Sequence, residues 1–497
     1  MSSRLPQPSL RHSLHNGLPQ DIETAHQLIH ELLSVIQSLE ARLDQLEEQQ
    51  GTSSRNSSKP PSGDTPAQRA KRPRKKGSGR QKGAQPGHTK HERVQLDESD
   101  IPESNRHRHY PDIQCDCGGL RQLSTMPVRR HQVFDLPEVS YEVEEHQLFE
   151  GHCPCCQRRA VGALPPGVPT GQMGAGLISW ITLMNGAYNQ SLRSIQRLLQ
   201  AQWQLGFSLG AISQATRPVS HWLAPLYQQV FQTVCKEPVV HADETSHYRQ
   251  RSRFWLWVMC SPRVAFFMTH HSRGKGAANA LLASFTGILV SDQHGGYNDH
   301  PMEQRQLCWA HVIRKFRKIA SRAGRAGVIG RELLRLSQLM VHFHHRWLAG
   351  HYSHVCYQRR MAQIRDAIHH RLQRGLALRR VLQPDKPSLT SNQCRRLLHD
   401  EPMLWTFLRA PTLIPLTNNT AEQALRPYVI WRKTSFASQS VRGDQFRPII
   451  LTVVETCKRL GIDSYALLRK VCAQGLSGQP VTARLPIPCL QLESIPA

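Results

Sequence analysis

The sequence predicts a multidomain α+β chain, and three observations predict it. A heptad seam near the amino terminus runs into a long basic arm rich in Gly, Pro and Ser. Two cysteine knuckles flank a stretch of alternating character. Beyond residue 238, short strand-like runs crowd together and then give way to helical periodicity. At 497 residues and 39% hydrophobic content, the chain is long and apolar enough for more than one core.

Its charge narrows the partners. The chain carries 63 Lys+Arg against 37 Asp+Glu, a formal +26, which points to a polyanion and first of all to nucleic acid. No stretch approaches the roughly 18 uninterrupted apolar residues of a membrane span, so no membrane partner is expected. The start, MSSRLPQPSLRHSLHNGLPQ, lacks the apolar centre of a signal peptide, which predicts a cytoplasmic, nucleoid-associated protein. Of thirteen cysteines, eight are scattered singly from Cys235 onward, a poor disulfide framework that suits a reducing compartment.

The elements follow in order. Ile22, Ala25, Ile29, Leu32, Ile36, Leu39, Leu43 and Leu46 alternate spacings of three and four, an a/d seam. The spacing predicts a helix over 20–50, either packed on its own domain or joined to a second copy in a coiled coil. The second reading is preferred because the following segment offers no core. That segment, 51–104, reads as a disordered basic arm: residues 51–90 hold 11 Lys/Arg and one acid, Asp64. It serves either as a solvated linker or as a source of salt-dependent, sequence-independent DNA affinity.

Residues 105–165 carry "CDCGG" from Cys115, strand-like "HQVFDL" and "SYEVEEHQLF", then "GHCPCC" ending at Cys156. Paired knuckles around a hairpin predict a zinc-ribbon-like β module in which Cys115, Cys117, Cys153 and Cys156 hold a structural Zn²⁺; the other reading is free thiols. The first knuckle departs from CxxC spacing, since Gln114 stands where the second thiol is required. Residues 170–232 are helical, and "SLRSIQRLLQAQWQLGFSLGAISQATRPV" reads as helix, turn near Gly206, and a second helix from Ser208. This is either a helix-turn-helix for DNA or two ordinary packed helices.

From 236 to 455 the sequence predicts the catalytic core. "PVVHADETSHY", "RFWLWVMCS" and "VAFFMTHH" read as three successive strands, "GAANALLASF" as a helix and "GILVSD" as a fourth strand. That succession suggests the mixed sheet of a ribonuclease H-like fold, with Asp243 in the first strand and Asp292 at the carboxyl end of a neighbouring one. Two carboxylates sharing one patch repel unless positive charge joins them, and two hard divalent cations would do so while activating a nucleophile at phosphorus. Glu422, in "LTNNTAEQALRP", is the candidate third acid. Spacing alone leaves two rivals: a capping box begun by Asn419, or an i,i+4 pair with Arg426. Glu244, on the opposite face of the strand from Asp243, is likewise a rival acid. Asp292 and Glu422 lie 130 positions apart, too far for a bare loop, and helical spacing of Leu333, Leu336, Met340, Phe343 and Trp347, then Met361, Ile364, Ile368 and Leu372, predicts a helical insertion over about 320–410. Residues 456–497 complete the chain as a helix and tail.

The strings "HADETSHYRQRSRFWLWV", "GILVSDQHGGY", "RQLCWAHVIRKF", "TNNTAEQALRP" and "SFASQSVRG", in this order, resemble transposases of the insertion sequence 66 family, and the likeness extends to the heptads, "NSSKPPS", "GRQKGAQPGH" and the knuckles. The resemblance implies a DDE-type recombinase on a ribonuclease H-like core, with Asp243, Asp292 and Glu422 binding two Mg²⁺. Water would cut the element's ends, and the freed 3′ hydroxyl would attack target DNA. It also places the block after Asp292 beside the active site, making His311, Arg314 and Lys315 candidate DNA contacts, with Arg426 a further one and His311 a phosphate- or metal-proximal group. The chain departs from the family's usual DETG-plus-aromatic string at Ser246 and His247. The partners so implied are DNA, a second copy of the chain and accessory proteins of the same element. The rival readings are a non-catalytic DNA-binding protein and a structure-specific nuclease.

Overall fold

The computed structural model describes residues 21–50, 95–120, 122–134, 141–380, 385–435 and 438–488. Most of the basic arm lies outside them. The chain is a mixed α+β protein with a mixed five-stranded sheet at its centre.

Helix α1, Ile22–Gln50, forms where the heptads predict it. Its seam residues Ile22, Ile29, Leu32, Ile36 and Leu39 are exposed, so the apolar stripe has no partner within the described residues; the side chains of Leu43 and Leu46 fall outside the description. Of the arm expected over 51–104, residues 95–104 are described. Two short 3₁₀ turns, Glu98–Asp100 and Glu103–Asn105, are drawn together by Arg106, whose guanidinium pairs with Glu103 at 2.7 Å and donates to the Ile101 carbonyl.

The cysteine region differs from expectation in its strands. Among the described residues, 131–134 and 141–149 form none, because Val133, Tyr141, Val143 and Phe149 stay exposed with no core to press them into pairing. The hairpin lies later: β1 (Glu150–His152) pairs antiparallel with β2 (Arg159–Val161) around Cys153–Cys156.

Helices α2 (Ala175–Gly186), α3 (Leu192–Trp203), α4 (Leu209–Ala215) and α5 (Ala224–Val234) come next. Ser191 and Ser208 cap α3 and α4 by accepting from the amides three residues on, which fixes the turn where the sequence places it. Strands β3 (Val239–Arg249), β4 (Ser252–Cys260) and β5 (Ala265–His270) run antiparallel; helix α6 (Lys275–Leu282) crosses to β6 (Ile288–Ser291), and β7 (Arg305–Leu307), a strand too short to stand out in the sequence, finishes the sheet. The order is β5-β4-β3-β6-β7, with β3, β6 and β7 parallel.

Helices α7 (Trp309–Ala320), α8 (Gly324–Leu348), α9 (His354–Leu376) and α10 (Leu389–His399) follow β7, where the sequence predicts helices. Gly330 lets α8 cross the end of α7 closely: a Cβ there would stand 2.2 Å from the Ala320 nitrogen, a backbone atom that cannot step aside. Helices α11 (Asn419–Thr434), α12 (Val441–Leu460) and α13 (Ser464–Leu476) end the described chain.

Alternation along β3 gives the sheet two faces. Val240, Ala242, Trp257, Met259 and Phe266 pack on one face with residues of α2 to α6, α12 and α13, in one continuous core. The helical stretch 170–232 and the carboxyl-terminal helix therefore share a core with the sheet, and α12 runs unbroken through the boundary expected at 455. The other face carries two clusters. Val239, Ile288, Val290 and Leu307 bury against α7 to α10, while Leu256, Val258 and Phe267 bury against α11. The junction of these clusters, over the middle of β3 and the carboxyl end of β6, is where the acids gather.

Candidate active site

Parallel pairing sets the first two acids side by side. Val239, Val240 and His241 of β3 stand beside Ile288, Leu289 and Val290 of β6, and the same offset carried two residues further brings Asp243 beside Asp292 on one face. Asp292 follows the last residue of β6, and its Oδ1 accepts from the His294 amide at 2.8 Å; Asp243 Oδ1 accepts from the Glu244 amide at 2.8 Å. Burial pushes the Asp243 carboxyl well above the ordinary aspartate range, and the neighbouring charges of Glu244, Asp292 and Glu422 push it the same way. All three sequence-selected acids therefore lie within electrostatic reach of one another.

Asn418 brings the third acid in. It is 1% exposed, at the head of α11. Its Nδ2 donates to the Ala242 carbonyl at 2.8 Å, its Oδ1 pairs with His241 Nδ1 at 3.1 Å, and its amide donates to Cys308 Sγ at 3.2 Å. Since the Asn amide nitrogen is committed to Ala242, the oxygen accepts and the His241 ring donates. That ring is neutral, its pKa pushed down to about 4 by burial. The helix start is thus tied to the backbone next to Asp243, and Glu422 stands one turn in.

Neither rival reading of Glu422 describes this geometry. The residue heading the helix is Asn418, one position before Asn419, and its side chain makes no capping bond because it reaches across to β3. Arg426 is exposed, and among the described residues no ion pair joins it to Glu422. Instead Glu422 Oε1 is buried without a hydrogen-bond partner, 3.9 Å from His311 Nε2. The rival Glu244 is fully occupied on the other face: Arg273 donates to its Oε1 at 2.8 Å and the Tyr297 hydroxyl to its Oε2 at 2.8 Å. That makes it a structural carboxylate.

A basic wall stands beside the acids. Asp292, Gln293, His294, Cys308, His311, Arg314, Lys315 and Lys318 line a cavity of about 350 Å³. Lys315 donates to Gln293 Oε1, and burial together with nearby Arg396 brings its pKa down to about 8. His311 is pulled below the ordinary histidine range by burial and Arg314, against the opposing pull of Asp292 and Glu422. Of the four candidate DNA contacts, His311, Arg314 and Lys315 meet at this cavity, while Arg426 lies on the outer side of α11.

The donor set suits hard divalent ions. Among the described residues no lysine or arginine forms an ion pair with Asp243, Asp292 or Glu422, while Lys315 and Arg305 act on Asp292 from further off, so the carboxylate oxygens are left for a cation to join. Among the described residues, neither the three acids nor the four knuckle cysteines bring three ligand atoms within 4.8 Å of one another. A backbone hydrogen bond from Gly119, then the Cys115 thiol, lowers the Cys117 pKa, and backbone bonds from Cys156 and Cys155, then the Cys156 thiol, lower that of Cys153. However, the only described group of three potential metal ligands with atoms within 4.8 Å of one another is Cys308, His311 and Glu422.

Ser246 and His247 also find a use. His247 is buried between the Tyr428 hydroxyl at Nδ1 and Asp444 Oδ1 at Nε2, and Arg432 donates to Ser246 Oγ and its carbonyl. One strand residue so clasps α11 and α12 to β3. The contacts of Asn418, Cys308 and His247 span more than a hundred residues, and no local periodicity announces them; only the proximity of Cys308 to His311 is legible, as a three-residue spacing.

The sequence model of the transposase IS66 family matches residues 170–445, from just before α2 into the first turn of α12. The chain belongs to this family. The match takes in α2 to α5 along with the sheet, as the shared core requires. A family of unknown function (DUF6444) matches residues 14–94. Among curated relatives, the IS66-family chain is 25% identical to the uncharacterized protein y4qI of Sinorhizobium fredii over 426 residues, 76% of this chain and 74% of that protein. It is 24% identical to y4jD of the same organism over 297 residues, 54% and 56% respectively.

Proposed function

We propose that this IS66-family protein cuts DNA at the ends of its insertion sequence and joins the freed 3′ hydroxyl to target DNA, using Asp243, Asp292 and Glu422 as a DDE triad on a ribonuclease H-like core. The observation that carries the reading is the convergence, over one sheet face, of three carboxylates that no lysine or arginine ion-pairs among the described residues. Three antiparallel strands followed by two parallel ones, with a helix before the fourth, support the fold assignment.

Asp243 and Asp292 from adjacent strands, with Glu422 from α11, are the groups that would hold two Mg²⁺. Bound there, such ions supply an activated water or hydroxyl nucleophile and stabilise the leaving oxygen. The chain's own residues set the stage. Asn418 and His241 hold Glu422 to β3, the Glu244–Arg273–Tyr297 group keeps the strand's other face neutralised, and Arg314, Lys315 and Lys318 offer the phosphates a basic wall. The basic arm adds non-specific affinity, the knuckle cysteines a structural Zn²⁺, and α1 a coiled coil that joins two copies at paired element ends.

Divalent-metal-dependent nicking of an element-end duplex by the full chain tests the reading. Glu422→Gln should abolish cleavage, by about 10³-fold or more, while leaving fold and DNA binding intact. Wild-type rates in that variant remove Glu422 from the chemistry. A chain that shifts the duplex without nicking it is a binder, and one that nicks without strand transfer is a nuclease.

A further inference from the structure

We infer that Cys308, His311 and Glu422 form a second, softer metal site, taking a borderline ion of the Zn²⁺ class, and that its occupancy withdraws Glu422 from the acid cluster. The second half rests on the proposed role of Glu422; the first does not.

The three ligand atoms come from two helix starts facing each other. Cys308 is the residue heading α7, His311 lies in that helix's first turn, and Glu422 lies in the first turn of α11. Two backbone bonds lock the starts together: the Asn418 amide to Cys308 Sγ, and the Trp309 amide to the Leu416 carbonyl at 2.9 Å. A thiol, an imidazole and a carboxylate oxygen consequently lie within 4.8 Å of one another. Two atoms in this group are without hydrogen bonds: His311 Nδ1 and Glu422 Oε1 are both buried and unpartnered. The orphaned carboxylate oxygen, 3.9 Å from His311 Nε2, is costly to leave bare unless a cation meets it.

The chemistry of the set selects the ion. Sulfur, nitrogen and oxygen donors in one place suit Zn²⁺ or Co²⁺, whereas Mg²⁺ avoids thiolate and prefers the all-oxygen set of Asp243, Asp292 and Glu422. Three protein ligands leave a fourth position for water, and Glu422 is open enough to admit it, with 36% of its side chain exposed. The thiol passes its proton to solvent as the ion binds. Because one carboxylate belongs to both sets, a soft ion drawn toward Cys308 competes with the hard pair for the same oxygen atoms.

The test uses the metal-free full chain. Co²⁺ is titrated in while the thiolate-to-metal absorption band is followed, and Zn²⁺ stoichiometry is measured by equilibrium dialysis, for wild type, Cys308→Ala and His311→Gln. The knuckle cysteines are common to all three proteins and cancel. Wild type should bind one ion more than either variant, or bind it at least ~10-fold more tightly. Equal stoichiometry and affinity in all three overturns the site, and His311→Gln still decides the matter should Cys308→Ala fail to fold. In a second arm, Zn²⁺ is added to the Mg²⁺-driven cleavage reaction and each protein is compared with its own zinc-free rate. Wild type should slow by about tenfold and the variants by much less. Zinc binding that leaves the wild-type rate untouched overturns the sharing of Glu422. If no protein cleaves at all, the proposed function fails, while the binding arm still decides the site.

Discussion

Asn418 decides more about this site than its place in a run of two asparagines suggests. Replacing it with alanine leaves the Ala242 carbonyl and the His241 ring buried without partners, a cost of about 1–3 kcal/mol, and frees the start of α11. A Glu422 displaced by an ångström should lower single-turnover cleavage by about 10²-fold while DNA affinity stays put. A rate loss matched by an equal loss of binding would mean that Asn418 serves DNA contact. Lys315 gives the pH counterpart. Its folded pKa is depressed to about 8, so the ammonium is present below that pH and lost as pH rises through it. If Lys315 meets a phosphate, Lys315→Met should reduce the slope of log affinity against log salt by about 0.9 at pH 7 and by clearly less at pH 9. Local pattern places the three acids on a strand, a strand end and a helix start but leaves Glu244 and the capping and ion-pair readings of Glu422 open; the family resemblance chooses among them. What holds them is not legible in the sequence, since a buried asparagine reaching a strand 176 positions away leaves no periodic trace.

At the scale of elements, the strands and helices of the core fall where hydrophobic runs and spacing predict them, and two outcomes show where such patterns fail. Strand-like residues at 131–134 and 141–149 stay irregular because apolar residues without a covering layer gain nothing from pairing, whereas the three-residue β7 forms because β6 and the insertion enclose it. The sheet's outer edge is the other case. β5 would present free amides to solvent or to another chain, but α12 lies along it, and Thr452 and Thr456 accept from the amides of Phe267 at 3.0 Å and Ala265 at 3.2 Å. A helix that runs through the expected core boundary at 455 thus closes the sheet. Thr452→Val keeps the shape and removes the acceptor, so it should destabilise the fold by about 1–3 kcal/mol in urea unfolding, with an unchanged m-value. No change would show that the Phe267 amide finds another partner.

At the scale of the whole molecule, the face that carries the three acids is built from distant parts of one chain, while the seam of α1 has no partner among the described residues. Ile29, Ile36 and Leu39 are each more than 40% exposed, a stripe that a second α1 would cover by knobs-into-holes packing. The basic arm behind it is rich in charge and poor in apolar residues, so it offers the stripe nothing to bury against. The full protein should therefore sediment as a dimer or larger species at micromolar concentration, and a chain beginning at residue 51 should fall to a lower order while keeping metal-dependent nicking of a single element end. What the shortened chain should lose is coupled cutting of two ends held on separate duplexes, since nothing would then bring two active sites together. Replacing Ile29 and Ile36 with lysine puts like charges at the seam and should reproduce the loss without shortening the chain. Undiminished oligomerisation in both proteins, measured by sedimentation velocity, would transfer assembly to another surface and leave α1 as a helix whose stripe serves some other partner.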